Sequence, residues 1–204
     1  MSSLTATSKG VTTRATILDR AYGIACASGL EGLSIAPLAD AVGMSKSGVF
    51  AHFGSREGLQ LAVLDDAAER FGNAVLVPAL SQPRGRPRLL AIIHNWFEWV
   101  RSTTGGCVLL GAATEYDDRR GPLRDRVLHN DRRWRTHLAR AIEQAVEAGH
   151  LAAGDGEQRV FELYAIALAV HHDAGLYGYE PARRHGEAAV DRWFALHAAT
   201  DFPR

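Results

Sequence analysis

Two cysteines in 204 residues, Cys26 and Cys107, are too few and too far apart for a disulfide framework or a zinc cluster. No uncharged apolar run approaches the ~18 residues that a membrane-crossing helix needs. The opening residues Met1-Ser2-Ser3-Leu4-Thr5 lack the basic-then-apolar order of a secretory leader. These absences give the expectation of a cytoplasmic chain with reduced thiols, no metal and no membrane partner. Neither sign of charge is in excess, with 23 Lys+Arg against 23 Asp+Glu, so the average announces no polyanionic partner. β-Branched residues are scarce: 13 Val, 7 Ile and 10 Thr stand against 33 Ala and 22 Leu, which favours helix over sheet. No alternating run suggests a strand, and there is no internal repeat.

What is present is helical punctuation. Residues 1–11 are Ser/Thr-rich and without period, which predicts a mobile arm. From Thr13 the residues Ile17, Ala21, Ile24 and Ala25 fall on one helical face. Ser34 is placed to cap a short helix carrying Ile35, Leu38, Ala39 and Val42, and Gly43 to close it in the left-handed conformation. Ser45 then caps a third helix from Lys46 to about His52, and Ser55 a fourth with Leu59, Val63, Ala67 and Phe71 at helical spacing. The breaker Ser81-Gln82-Pro83-Arg84-Gly85-Arg86-Pro87 marks a loop. Further helices are predicted around Trp96, after Cys107, over Pro122 to Gly149, from Asp155 or Gly156 to Gly178, and from Pro181 to Thr200. The fold expected is all-α with about nine helices. A three-helix domain over 1–56 precedes a larger helical domain over 57–204.

Three short helices joined by tight turns are the arrangement of a helix-turn-helix. Inside it Ala39 sits where two helices would cross, Gly43 makes the turn four residues on, and Val49 plugs the second helix back onto the first. The stretch from Leu33-Ser34-Ile35-Ala36 through Ala41-Val42-Gly43-Met44-Ser45-Lys46-Ser47-Gly48-Val49-Phe50-Ala51-His52-Phe53-Gly54-Ser55-Arg56-Glu57-Gly58-Leu59 resembles the signature of the TetR family of transcriptional regulators. The close match covers residues 13–64.

The resemblance implies a regulator of double-stranded operator DNA, with the helix from Lys46 in the major groove. Lys46, Ser47, Gly48, Phe50 and His52 would then meet DNA, with Val49 and Phe53 on the core side. Ser34, Ser45 and Arg56 would hold phosphates, and Arg14 would assist from the N-terminal side. Phe50 stands where many relatives carry Tyr and has no hydroxyl to offer a phosphate. Ala51 likewise makes no hydrogen bond. Residues 1–56 sum to only +2, but Lys46 and Arg56 lie at helix starts, beside backbone N–H groups suited to phosphate.

The same resemblance implies a C-terminal domain that binds a small-molecule effector and dimerises, with no cofactor. Trp96, Trp99, Tyr116, Trp134, Tyr164 and His171 are candidate pocket residues, since aromatic walls with a few polar handles suit an organic ligand. Plain core is the competing account of the same aromatics. Val160 to Val170 is apolar nearly all round, so one side would cover the chain's own core and the other a second copy. Leu163, Ala167, Val170, Ala174, Val190, Trp193, Phe194 and His197 are the expected contacts of a two-fold homodimer.

Two other readings compete. A helical enzyme or metal-dependent protein would need His94, Glu115, Asp117-Asp118 and His171-His172-Asp173 to converge, and no catalytic motif accompanies them. The run 119–140 holds eight Arg against Asp125 and Asp131, and a second nucleic-acid site there competes with a solvated face paired to acidic neighbours. Cys107, among Val108, Leu109 and Leu110, reads as a buried, inert thiol.

Overall fold

The computed structural model describes residues 3–103 and 106–199. Its helices are α1 (Ser3–Ser28), α2 (Ile35–Val42), α3 (Lys46–Phe53), α4 (Arg56–Phe71), α5 (Val77–Ala79), α6 (Arg86–Ser102), α7 (Val108–Tyr116), α8 (Pro122–Glu147), α9 (Gly156–Tyr177) and α10 (Tyr179–His197). A π-helical segment, Gly72–Leu76, joins α4 to α5 without leaving helical conformation, so the described residues form nine helical rods. No strand is present among them, and the all-α expectation is met. No helix among the described residues is long and apolar enough to cross a membrane.

One expectation is corrected at the start of the chain. α1 begins at Ser3 and absorbs most of the predicted arm 1–11, of which Met1 and Ser2 lie outside the described residues. No proline precedes Pro37, and a helix already nucleated at Thr13 can add one hydrogen bond for each further residue it fixes.

The π segment was not legible as such. Pro78 has no N–H to give Ala74, and its ring would press on that carbonyl in a regular α-helix. In the wider turn Val77 N–H instead reaches Gly72 O. Asn95 Nδ2 donates to Val75 O at 3.0 Å, which satisfies a carbonyl that the widened turn displaces.

The described chain divides into two compact units, residues 3–69 with 106–130 and residues 70–103 with 131–199. The expected boundary at residue 56 therefore falls inside the first unit. Its core joins Ile17, Ala21, Leu38, Ala39, Val49, Leu59 and Val63 to Val108, Ala112 and Tyr116 of α7. Distance along the chain hid this contribution, because nothing periodic links residue 112 to residue 21. The second unit packs α9 against α10 and α6, with Leu89, Ile93, Phe97, Leu163, Ala167, Val170 and Val190 buried.

Candidate functional site

α2 and α3 make the expected helix-turn-helix. Gly43 takes φ 65° and ψ 32°, and Met44 N–H then donates to Ala39 O at 3.0 Å, which closes α2. Ala39 and Val49 are both fully buried. Ser45 caps α3 by accepting from Gly48 N–H at 3.1 Å, and its hydroxyl lies 3.1 Å from that of Ser47. The outward side of α3 carries Lys46, Ser47, Phe50 and Ala51, with His52 half-buried. Phe50, at 51% exposure, is a large apolar side chain that this chain covers only by half. A Cβ on Gly48 would come within 3.2 Å of Ser45 Oγ and 3.3 Å of Met44 Cε, so glycine keeps this cap undisturbed.

Three of the expected phosphate-side residues behave differently from one another. Ser34 occupies the N-cap position of α2 in extended conformation, yet its side chain accepts no capping bond. A cap reaches the N–H of the second or third helical residue, and the third here is Pro37, which has none. Arg56 is tied inward: Nε donates to Leu33 O at 2.9 Å and Nη2 to Glu31 O and, at 3.1 Å, to Glu31 Oε2. Arg14 lies over the Phe53 ring, 5.0 Å from its centroid.

Glu31 gathers a set of contacts that sequence reading missed. Tyr116 Oη donates to its Oε1 at 2.9 Å and Arg119 Nη1 to the same atom at 3.2 Å. Glu115 Oε2 accepts from Glu31 N–H at 3.1 Å. The Tyr116 hydrogen bond, followed by Arg56 and Arg119, holds the Glu31 carboxyl below the usual range, while burial and Glu31 push the Tyr116 hydroxyl up. Tyr116 is therefore a first-unit residue and does not join the aromatic candidates of the second.

Trp96, Trp99, Trp134 and Tyr164 come together around Phe71. The Phe71 ring meets Trp96 and Trp99 at 5.7 Å and Trp134 at 4.6 Å, all edge to face. Trp96 also meets Trp134 at 5.0 Å and Tyr164 at 5.4 Å, and the Arg135 guanidinium lies 4.0 Å over Tyr164. Trp99 Nε1, Trp134 Nε1 and His171 Nδ1 are buried without a hydrogen-bond partner. Burial lowers the His171 pKa and so favours its neutral form. The sequence marks Phe71 only as a helix-face residue, because its position beside the π segment carries no periodic signal.

The expected dimer residues lie mostly inside the chain's own core. Leu163, Ala167, Val170, Val190, Trp193 and Phe194 are buried in the chain's own α9–α10 core, and Ala174 is half-buried. His197 Nε2 and Trp193 Nε1 both meet Glu162 Oε2, at 3.0 and 2.7 Å. An all-apolar helix announces two covered sides but not which side faces inward. The outward one carries Phe161, Leu168 and Leu176, with Leu196 exposed on α10.

In the Arg-rich run, Arg119 pairs with Glu31, Arg126 with Asp65, Arg135 with Asp131, and Arg140 with Glu143 and Glu147, while Arg124 donates to Asp117 O. That agrees with a paired, solvated face. Cys107 is buried. His172 pairs with Asp173 at 3.1 Å on an exposed surface, and Glu115 is taken up at Glu31. No group of three or more His, Cys, Asp or Glu able to hold a metal occurs among the described residues.

Two family models match successive parts of the chain. Residues 17–63 match the family model of bacterial regulatory proteins, tetR family, and residues 85–190 match that of the tetracyclin repressor-like C-terminal domain. Among curated proteins no sequence matches. Among solved structures, a TetR transcriptional regulator from Chloroflexus aurantiacus J-10-FL superposes with a TM-score of 0.85 at 23% identity, covering 93% of this chain and 98% of that one. A TetR-family regulator from Cytophaga hutchinsonii gives 0.81 at 19%, covering 95% and 98%. AibR, solved with isovaleryl coenzyme A and operator DNA, gives 0.68 at 20%, covering 91% and 98%.

Proposed function

The chain belongs to the TetR family of transcriptional regulators, and on that premise we propose that it is a repressor. It binds a palindromic operator as a homodimer and is released by a small-molecule effector. The observation that carries the DNA reading is the capped α3 with Lys46, Ser47 and Phe50 outward, locked by the left-handed Gly43. A two-fold dimer presents two such helices to successive turns of one DNA face. Ser34 supports the phosphate role, because its hydroxyl is not engaged in capping. Arg56 acts by fixing the Glu31–Leu33 turn that precedes α2.

The effector site proposed is the cluster of Trp96, Trp99, Trp134, Tyr164 and His171 around Phe71. AibR was solved with both a coenzyme A thioester and operator DNA, which supports one fold serving the two kinds of partner. Phe71 ends α4, so a ligand that displaces its ring would bias that helix and change the spacing of the recognition helices.

Selection of bound DNA from a random pool by the full-length chain tests this. A palindromic site should be enriched. Lys46→Ala should weaken it and lower the salt slope by about two, one for each protomer, while neutralising the free arginines of 119–140 should leave it intact. Binding that survives the first change and disappears with the second would overturn the assignment.

A further inference from the structure

Trp193 shows how this chain treats an indole whose role is structural: its Nε1 donates to Glu162 at 2.7 Å. Trp99 and Trp134 have no such acceptor, and with His171 Nδ1 they are the buried side-chain N and O atoms left unpartnered among the described residues. Trp99 and Trp134 belong to one group, built on α6 and α8 around the Phe71 ring, and His171 follows Tyr164 by seven residues on α9. Buried donors without acceptors are rare in native proteins, and two indole N–H groups beside one ring point to a ligand atom.

The surrounding chemistry narrows what that ligand is. Five aromatic rings meet edge to face at 4.6–5.7 Å, a setting for a flat apolar body. The cation at the cluster, Arg135, is already paired with Asp131 at 2.8 Å, so no unpaired positive charge waits for a carboxylate. Two indole N–H groups donate and cannot accept, which disfavours an amine or other cation. His171 offers a further donor or acceptor at Nδ1 according to its tautomer.

We propose that the cluster of Phe71, Trp96, Trp99, Trp134, Tyr164 and His171 takes an uncharged, planar polycyclic ligand whose carbonyl oxygens accept from the Trp99 and Trp134 indoles. The proposal rests on the effector-site reading above and adds the chemical class. Phe71 is the ring such a ligand displaces. It adjoins the π segment Gly72–Leu76, a place where helices often change register at functional sites.

Fluorenone and fluorene, two planar tricycles that differ in one carbonyl, serve as probes, with dodecanoate as the acyl-chain comparison. Binding to the full-length protein is followed by tryptophan fluorescence and calorimetry. Fluorenone should bind at least about tenfold more tightly than fluorene, the worth of one well-placed buried hydrogen bond. W99F and W134F keep an aromatic ring, smaller than the indole, and remove the N–H, and each should bring that ratio towards one. The wild-type comparison alone decides the matter if a variant fails to fold. Equal binding of the two tricycles, no binding of either, a ratio that survives both substitutions, or a preference for dodecanoate would each overturn the proposal. The DNA selection separates the two readings. Enrichment of a palindrome without fluorenone binding sinks the ligand class alone, whereas no enriched site sinks the repressor reading whatever the probes do.

Discussion

Tyr116 Oη donates to Glu31 Oε1 at 2.9 Å, which joins the end of α7 to the turn before α2 across 85 positions of chain. Arg56 and Arg119 approach the same carboxylate, so the turn that positions the helix-turn-helix is held from three directions. Tyr116→Phe keeps the ring in the core and removes one bond to a charged, partly exposed acceptor. It should cost about 1 kcal/mol in urea unfolding. An unchanged midpoint would show that the carboxylate re-pairs with its arginines at no cost.

The same carboxylate sets a pH dependence. The native pKa of Glu31 lies below its ordinary value of 4.5, so its stabilisation is fully present above that pH. It is lost as pH falls through the native value, because the unfolded chain takes up the proton first. Unfolding followed between pH 6 and pH 3 should therefore show a shallower decline for Glu31→Gln than for the wild type. Glu98 and Glu162 are shifted in the same direction and remain as a common background in both proteins.

The three cap serines should separate by stability. Ser45 and Ser55 accept from Gly48 and Gly58 N–H groups at 3.1 and 2.9 Å, so replacing either by Ala should cost about 1 kcal/mol. Ser34 makes no such bond, and Ser34→Ala should be nearly neutral in thermal unfolding while weakening operator binding. A loss of stability equal to that of Ser45→Ala would restore Ser34 to an ordinary cap.

Gly186 is a packing requirement on α10. A Cβ there would run into Val170 Cγ2 and lie 3.0 Å from Phe97 Cζ, both within a closed core. Overpacking there should cost roughly 1–3 kcal/mol against the ~1 kcal/mol gained from alanine's better helix propensity, so Gly186→Ala should destabilise by up to about 2 kcal/mol. A variant as stable as the wild type would mean that α9 and α10 can separate without loss.

These relationships differ in how far the sequence announces them. The helix-turn-helix is legible because its determinants are local: Ala39, Gly43 and Val49 lie within eleven residues, and each acts on its immediate neighbours. Trp96, Trp99, Trp134 and Tyr164 gather on α6, α8 and α9, whereas Tyr116 lies in the first unit, because helical spacing says that a residue is buried and not in which core. The Glu31 contacts and the place of α7 in the first unit are encoded only in tertiary pairing. The π segment turns on Pro78, whose effect depends on whether the helix continues past it. Ser34 fails as a cap through Pro37, a local reason that the sequence did contain.

The outward side of α9 is where the dimer proposal can be decided. Phe161 and Leu168 are exposed at 61% and 38%, seven residues apart and so on one face, whereas Leu163 is buried at 1%. Charges on the exposed pair, Phe161→Asp with Leu168→Asp, add little strain to the single chain but would be desolvated in a two-fold contact. Sedimentation should then report the mass of one chain, with helical content retained and operator affinity reduced because two half-sites can no longer be held together. Leu163→Ala should do the reverse, costing about 2–5 kcal/mol of stability while leaving the association state of the folded protein unchanged. If the charged pair sediments like the wild type, the exposed face of α9 is not the dimer contact. If Leu163→Ala dissociates a folded dimer, the buried side of that helix is.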